Sequence, residues 1–329
     1  MILWVDYQLS TLCGGIKIHM NIVFYYPQIH IAQKWAEQLA AQGLEFKAIF
    51  WEPEKTIQAD YAVVWLPPEN FFDQVQGLSA IFNMGAGVDA LLKNPSLPAA
   101  LPVVRLDDEE MGLKMTEYVL FYIAHITRNF NQYERLQQNK QWGGPAPYPF
   151  FENWPIGVMG FGRVGAHIAQ TLRQLGYPVH VWSRQAKQAE GIHCYHGKDG
   201  LAAFLNATKI LINVLPLTPE TSDILNTNTL SQLQSGSYLI NIGRGHHLDE
   251  QALIAQLDSQ HMAGAILDVF RTEPLPAEHP FWTHPNIRVT PHISGPTHSG
   301  RAVQQITERI RKLESGQPLD GVVNRETGY

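Results

Sequence analysis

Short apolar runs alternate with amphipathic stretches along almost the whole chain. Asn21-Ile-Val-Phe-Tyr-Tyr26, Phe46-Lys-Ala-Ile-Phe-Trp51, Tyr61-Ala-Val-Val-Trp65 and Leu78-Ser-Ala-Ile-Phe82 read as buried strands. Between the first two, His30 to Ala41 carries helical spacing at Ile31, Trp35, Leu39 and Ala40. A second series follows: Pro155-Ile-Gly-Val-Met159, Val179-His-Val-Trp182, Ile210-Leu-Ile-Asn-Val214, Ser237-Tyr-Leu-Ile-Asn241, Ala263-Gly-Ala-Ile-Leu267 and Ile287-Arg-Val-Thr290. Helices fit between these runs, as at Val164 to Leu175 and Asp249 to Leu257. Such alternation predicts α/β architecture, doubly wound parallel sheets with helices on both faces.

The two series are joined by a helical stretch from about Glu109 to Lys140, broken at Trp142-Gly-Gly-Pro-Ala-Pro-Tyr-Pro149. Its length exceeds that of a routine surface helix, so it reads as a linker between lobes or a dimer contact. A last helix, about His298 to Ser315, is expected to return to the first lobe. The expected division is therefore 20–115 with 296–329 for one domain and 116–295 for the other.

Composition narrows the function. The 329 residues are 45% hydrophobic and 16% charged, enough to bury two cores. A formal net charge of −6 leaves no basic excess for a nucleic-acid partner. No run is long enough to span a bilayer, so no membrane is expected. Cys13 and Cys194 are too few for a disulfide framework or a zinc cluster, so no metal is expected and a reducing, cytoplasmic setting is the simplest reading. In residues 1–19 the run Met1-Ile-Leu-Trp-Val5 is short, Asp6 interrupts it, and no basic leader is present. That segment reads as a dispensable extension, from an upstream start codon with Met20 as the core start.

The first chemical signal is Gly157-Val-Met-Gly160-Phe-Gly162-Arg-Val-Gly165, which fits G-x-G-x-x-G between a strand and a helix. Gly160, Gly162 and Gly165 would give a tight turn, close approach of backbone to a pyrophosphate, and close helix–strand packing. The helix N-terminus would present its unpaired N–H groups to the phosphates. Alone, the pattern also fits a glycine turn with no ligand; its strand–turn–helix setting favours a dinucleotide. An NAD site usually has an acid at the end of the next strand, but here Val181-Trp-Ser183-Arg184-Gln-Ala-Lys187 has none. Ser183, Arg184 and Lys187 can take a 2′-phosphate, so NADPH is expected and NADH as the weaker cofactor. The bland reading is that Arg184 and Lys187 are ordinary solvated charges.

The second signal is a trio at strand ends: Arg244 after β-like Ser237–Asn241, Glu273 in Leu267-Asp268-Val-Phe-Arg-Thr-Glu273-Pro274, and His292 in Thr290-Pro291-His292. An Arg there can grip a carboxylate in two-pronged fashion or polarise a carbonyl. Hydride reduction of a keto acid builds charge on the carbonyl oxygen; His292 can supply the proton while Glu273 holds the ring. With 14 histidines in the chain, a structural His at a strand end is an easy accident. The trio together, downstream of a dinucleotide turn, favours function. His246-His247 beside Arg244 suggests no role.

Gly160-x-Gly162-x-x-Gly165, Asn241-Ile-Gly-Arg-Gly-His-His-Leu-Asp-Glu250, Leu267-Asp-Val-Phe-Arg-Thr-Glu-Pro-Leu275 and Thr290-Pro-His-Ile-Ser-Gly295 resemble the motifs of the D-isomer-specific 2-hydroxyacid dehydrogenases. Asn83-Met-Gly-Ala-Gly-Val-Asp89, Trp182-Ser-Arg184 and the strand ends at Trp51 and Trp65 look like the bacterial glyoxylate/hydroxypyruvate reductase A branch. The resemblance covers nearly everything from Met20 to Tyr329. It implies a Rossmann-type nucleotide domain, a flavodoxin-like substrate domain, and a cleft between them. It assigns Arg244 as substrate anchor, His292 as acid/base, Glu273 as its partner, and Asp268 as a nicotinamide-carboxamide contact. The backbone of Ala86 and Gly87 would meet the substrate carboxylate, and Phe161, Arg163, Val164, Leu215 and Pro216 would complete the cofactor site.

Two positions depart from the family pattern: Gly243, where Ala is frequent, and Ser294, where a small apolar residue is frequent. Trp51 and Trp65 either close a small substrate pocket or are packing residues. Trp142 would reach a neighbouring subunit's site in a homodimer. The expected function is NADPH-dependent reduction of small 2-keto acids, glyoxylate to glycolate and hydroxypyruvate to D-glycerate. The alternatives are a reductase of bulkier acids such as phenylpyruvate, and a non-catalytic dinucleotide-sensing protein.

Overall fold

The computed structural model describes residues 20–107, 109–144 and 150–325. Residues 1–19, on which the expected extension falls, lie outside the described residues. From the N-terminal side the elements are β1 (Met20–Tyr25), α1 (Ile29–Ala41), β2 (Phe46–Phe50), β3 (Ile57–Gln58), β4 (Tyr61–Val64), α2 (Phe71–Gln74), β5 (Val75–Gln76), β6 (Ala80–Asn83), α3 (Asp89–Leu92) and β7 (Val103–Val104). Five of these strands form a parallel sheet in the order β2-β1-β4-β6-β7, the flavodoxin-like winding; β3 and β5 pair separately.

The chain continues through α4 (Glu109–Thr127), α5 (Phe130–Gln138), β8 (Ile156–Met159), α6 (Arg163–Gln174), β9 (Val179–Ser183), β10 (His193–His196), α7 (Gly197–Asn206), β11 (Ile210–Asn213), α8 (Thr227–Leu230), β12 (Ser237–Asn241), α9 (Glu250–Asp258), β13 (Met262–Leu267), β14 (Ile287–Val289) and α10 (Ser299–Glu314). The second sheet has seven strands in the order β10-β9-β8-β11-β12-β13-β14, with every pair parallel. The order reverses between β8 and β11, which places a crevice outside their carboxyl ends. Both strands are buried at all four positions, as central strands covered on two faces must be, and so they read as unbroken apolar runs.

Helix α10 packs on α1, with Ala302, Val303, Ile306 and Ile310 entering the core of the first sheet. Their spacing puts all four on one helical face. The far end of the chain thus closes the first unit. Among the described residues, no helix is long and apolar enough to cross a membrane.

Three expectations need correction. The long joining helix is two helices: Asn129 between α4 and α5 has φ 56° and ψ 40°, a left-handed conformation that Asn tolerates. The expected boundary at 115/116 falls inside α4, and Met115 already lies in the core against the second sheet. The edge strand β10, His193-Cys-Tyr-His196, was not among the expected strands, because an edge strand with polar ends lacks the apolar signature.

Candidate active site

The carboxyl ends of both sheets face one cleft of about 2000 Å³. From the first sheet its wall is formed by Tyr26 after β1, Trp65 and Leu66 after β4, and Met84 to Gly87 after β6. From the second come the turn Gly160–Gly165, Ser183 and Arg184, Leu215 and Pro216, Arg244, Glu273 and His292. Sequence reasoning placed most of these residues together, and the fold brings them to one place.

The glycine turn is built for close approach. Gly160 has φ +109°, which only glycine adopts without strain, and its N–H donates to Trp182 O at 2.9 Å. A Cβ on Gly165 would lie 1.9 Å from Gly160 O, so helix α6 could not start so near the strand with any other residue there. At Gly162 a Cβ would meet nothing within 4 Å, so backbone is open to the cleft at the head of α6. That combination fits a pyrophosphate on the first N–H groups of the helix. Phe161 and Val164 also border the cleft, and Arg163 lies 3.4 Å from Asp107 of the crossing segment.

At the end of β9 no carboxylate follows Ser183. Its hydroxyl donates to Gln185 O at 2.8 Å, and Lys187 Nζ donates to Phe161 O at 2.8 Å, tying the basic loop to the glycine turn. Glu220, on the opposite lip, is held below the usual carboxylate range by its own backbone N–H, then Thr218, with the Arg184 charge adding to the effect. The donors present fit a 2′-phosphate better than a bare ribose diol.

His292 and Glu273 meet as expected, Nδ1 to Oε2 at 2.8 Å. Burial pushes the Glu273 carboxyl up, but the bonds from His292 and from Phe270 N–H, with the charges of His292 and Arg244, outweigh it and lower its pKa. His292 itself has φ 55°, an unusual conformation for a residue with a side chain. Asp268 holds that turn: its backbone O accepts from His292 N at 2.9 Å, and its carboxylate accepts from Ile293 N at 2.9 Å, Ser294 N at 2.8 Å and Thr290 Oγ1 at 2.6 Å. Tyr118 of α4 shares the Thr290 hydroxyl at 2.6 Å. Asp268 is fully buried and is not part of the cleft wall. This carboxylate is engaged by the loop that carries His292.

Arg244 crosses the cleft. Its Nε donates to Asp89 Oδ1 at 3.0 Å and its Nη1 to Gly243 O at 2.8 Å, leaving Nη2 beside Gly87. Asn83 donates to the carbonyls of Gly85 and Gly87, both at 2.8 Å, curling the Ala86–Gly87 backbone beside that guanidinium. Trp65 lies over Gly85, where a Cβ would come within 2.3 Å of its ring. Of the two readings of Trp51, the structure shows packing: its ring lies on Tyr25 at 5.5 Å and Phe71 at 6.0 Å and lines a small pocket beside Tyr26, not the cleft wall itself. Trp142 is fully exposed.

Sequence reasoning missed Asp89, Asn213 and Thr290. Asp89 stood in the glycine-rich segment 83–89 without a role, and 155 positions separate it from Arg244. No local spacing rule could have joined them. Among the described residues, no group of three or more His, Cys, Asp or Glu side chains is placed to hold a metal ion.

Comparison with known proteins agrees with this geometry. Residues 120–294 match the family model described as D-isomer specific 2-hydroxyacid dehydrogenase, NAD binding domain. A glyoxylate/hydroxypyruvate reductase A of Photorhabdus laumondii is 42% identical over 94% of this chain and all of its own length. The protein of that name from Serratia proteamaculans has the same identity and coverage. Among solved structures, a D-isomer specific 2-hydroxyacid dehydrogenase from Xanthobacter autotrophicus in complex with NADPH and MES superposes with a TM-score of 0.87 at 38% identity, covering 94% of this chain and 100% of that one. An NADPH-dependent glyoxylate/hydroxypyruvate reductase from Sinorhizobium meliloti, in complex with NADP and sulfate, gives 0.86 at 33% identity with the same coverage. The chain belongs to the D-isomer-specific 2-hydroxyacid dehydrogenases, a family of NAD(P)-dependent oxidoreductases.

Proposed function

We propose that this protein reduces small 2-keto acids, glyoxylate to glycolate and hydroxypyruvate to D-glycerate, with NADPH as the preferred cofactor. The observation that carries the reading is the His292–Glu273 pair at 2.8 Å, set in one cleft with Arg244 and the Gly160–Gly165 turn. The names of the relatives, and the NADPH and NADP in two neighbouring structures, support the same substrate and cofactor.

When bound, NADPH supplies the hydride for the keto carbon. The Gly160–Gly165 turn and the head of α6 hold its pyrophosphate, and Ser183, Arg184 and Lys187 hold its 2′-phosphate. Leu215 and Pro216 border the same part of the cleft. Arg244 Nη2 and the Ala86–Gly87 backbone bind the substrate carboxylate. Because His292 Nδ1 is engaged by Glu273, Nε2 is the nitrogen that delivers a proton to the carbonyl oxygen. Glu273 stays ionised and stabilises the charged ring before transfer. General acid catalysis of this kind contributes about 10²–10⁴ in rate. Trp65 limits the space beside the carboxylate, which favours acids without a bulky side chain.

We place the domain division at the two crossings, before α4 and after Ser294. Leu113 and Phe121 on α4 and Phe130 on α5 leave large apolar side chains exposed on neighbouring helices, which supports a homodimer through this face. Sedimentation of the purified protein reads that directly.

The deciding experiment is steady-state oxidation of NADPH and NADH with glyoxylate, hydroxypyruvate and phenylpyruvate. Rapid turnover of the two small acids with NADPH is the expected result. Turnover of phenylpyruvate alone would move the substrate, and cofactor binding without turnover would return the protein to a sensing role.

A further inference from the structure

His247, three residues after Arg244, is fully buried, and no step above uses it. It ends the short 3-10 turn Gly245–His247 that leads the chain away from β12. Its Nδ1 accepts the Arg244 N–H at 3.1 Å and lies 2.8 Å from Asn213 Nδ2. The same Asn213 amide donates to Asn241 Oδ1 at 2.9 Å, while its Oδ1 accepts from Leu215 N at 3.3 Å. Those bonds fix the orientation of the Asn213 amide, with N–H groups facing the ring.

A ring nitrogen that accepts two N–H groups carries no proton of its own. The ring proton is therefore on Nε2, which faces Pro216 O at 3.2 Å. One side of the imidazole accepts from the Arg244 backbone; the other donates to the turn after β11 that borders the cleft. Burial pushes the ring pKa down to about 4, outweighing the upward effect of the Pro216 carbonyl, and the nearby Arg244 charge adds to the lowering. The ring remains neutral at any pH near 7. The space around it is full, since a Cβ on Gly243 would lie 3.0 Å from Asn213 Nδ2 and 3.1 Å from His247 Nδ1.

Arg244 has left the strand ladder in an extended conformation, φ −140° and ψ 149°. Its N–H relies on a side chain for an acceptor. We infer that His247 is a positioning residue: its Nδ1, as the acceptor for the Arg244 N–H, fixes the Arg244 backbone so that the guanidinium meets the keto-acid carboxylate. This rests on the reading of Arg244 as the carboxylate anchor. His247 touches neither substrate nor cofactor in this role.

Two substitutions separate the two ring nitrogens. His247→Asn places an amide oxygen where Nδ1 stands, keeping the acceptor for Arg244 N–H and losing the bond to Pro216. His247→Gln reaches towards the Nε2 position, keeping a donor for Pro216 and losing the acceptor. The Gln variant is expected to raise the keto-acid KM about tenfold or more, while kcat and the Kd for NADPH, read by fluorescence titration, stay within about threefold. The Asn variant is expected to stay within about threefold of wild type in KM.

A folded Gln variant that binds NADPH normally and keeps the wild-type KM would overturn the proposal. Equal rises in KM for both variants would also overturn it, because the ring would then only fill space. If the Gln variant does not fold, the Asn variant decides: a near-wild-type KM supports the role and a tenfold rise removes it. Absence of turnover by the wild-type protein would instead remove the reading of Arg244, and this proposal with it.

Discussion

A Cβ built on Gly87 lies 1.6 Å from Nη2 of Arg244, so the loop after β6 and the guanidinium occupy one space. The obstructing atom is the tip of a flexible side chain, so Gly87→Ala should fold. The guanidinium must then move, and its 3.0 Å bond to Asp89 is strained or lost. The keto-acid KM of Gly87→Ala is expected to rise about tenfold or more, with NADPH affinity unchanged. Steady-state kinetics beside a fluorescence titration check this. An unchanged KM would show that Arg244 does not anchor the carboxylate.

Glu273→Gln keeps a side chain of the same shape beside His292 Nδ1 and removes its charge. The ring then loses the carboxylate that orients it. Reduction at neutral pH is expected to slow by about tenfold or more, still short of the full range for loss of a general acid. Rates measured across pH test this; a variant as fast as wild type at every pH would remove Glu273 from the proton-transfer step.

Arg184→Ala removes the cation beside the expected 2′-phosphate. The KM for NADPH is expected to rise about tenfold or more, the scale of a charge-assisted contact, while that for NADH changes little. Equal changes for the two cofactors would mean that Arg184 only shapes the loop.

Stability should depend on pH through His247. Its folded value of about 4 lies below its ordinary 6.5, so between these values the unfolded chain binds a proton that the folded ring refuses. Stability is therefore complete above pH 6.5 and declines as pH falls towards 4, by an amount on the order of 3 kcal/mol at the limit. His180, lowered chiefly by burial, adds in the same direction. Urea unfolding at several pH values should show this slope in wild type and a flatter one in His247→Gln. The same slope in both would place the titration elsewhere.

Much of the fold was legible because central parallel strands such as β8 and β11 carry apolar residues at most or all positions. What escaped was either polar or long-range. β10 begins and ends in His and lies at the sheet edge, while Asn129 interrupts α4–α5 through its backbone without disturbing the apolar periodicity. Arg244, Glu273 and His292 were visible because each follows an apolar run at a strand end. Asp89 and His247 were not, since their partners are fixed only when distant strand ends converge. At Trp51 a strand-end position leaves open whether the ring meets the cleft or packs, as it does, on Tyr25 and Phe71. Asp268 enters the cofactor site by resemblance alone; nothing in its local sequence shows that its carboxylate accepts three hydrogen bonds from the His292 loop.

The seating of α10 on α1 orders the birth of the molecule. All seven strands of the larger sheet leave the ribosome before Ser299, whereas the smaller unit lacks part of its core until the final helix has been made. During synthesis the nucleotide-type unit can consolidate first, and the earlier-made half waits for its own last piece. A released chain that ends before residue 299 should therefore resist limited proteolysis in the later-made unit and be cut readily in the earlier one. The opposite pattern would mean that α10 is an accessory to the first sheet rather than its closing element.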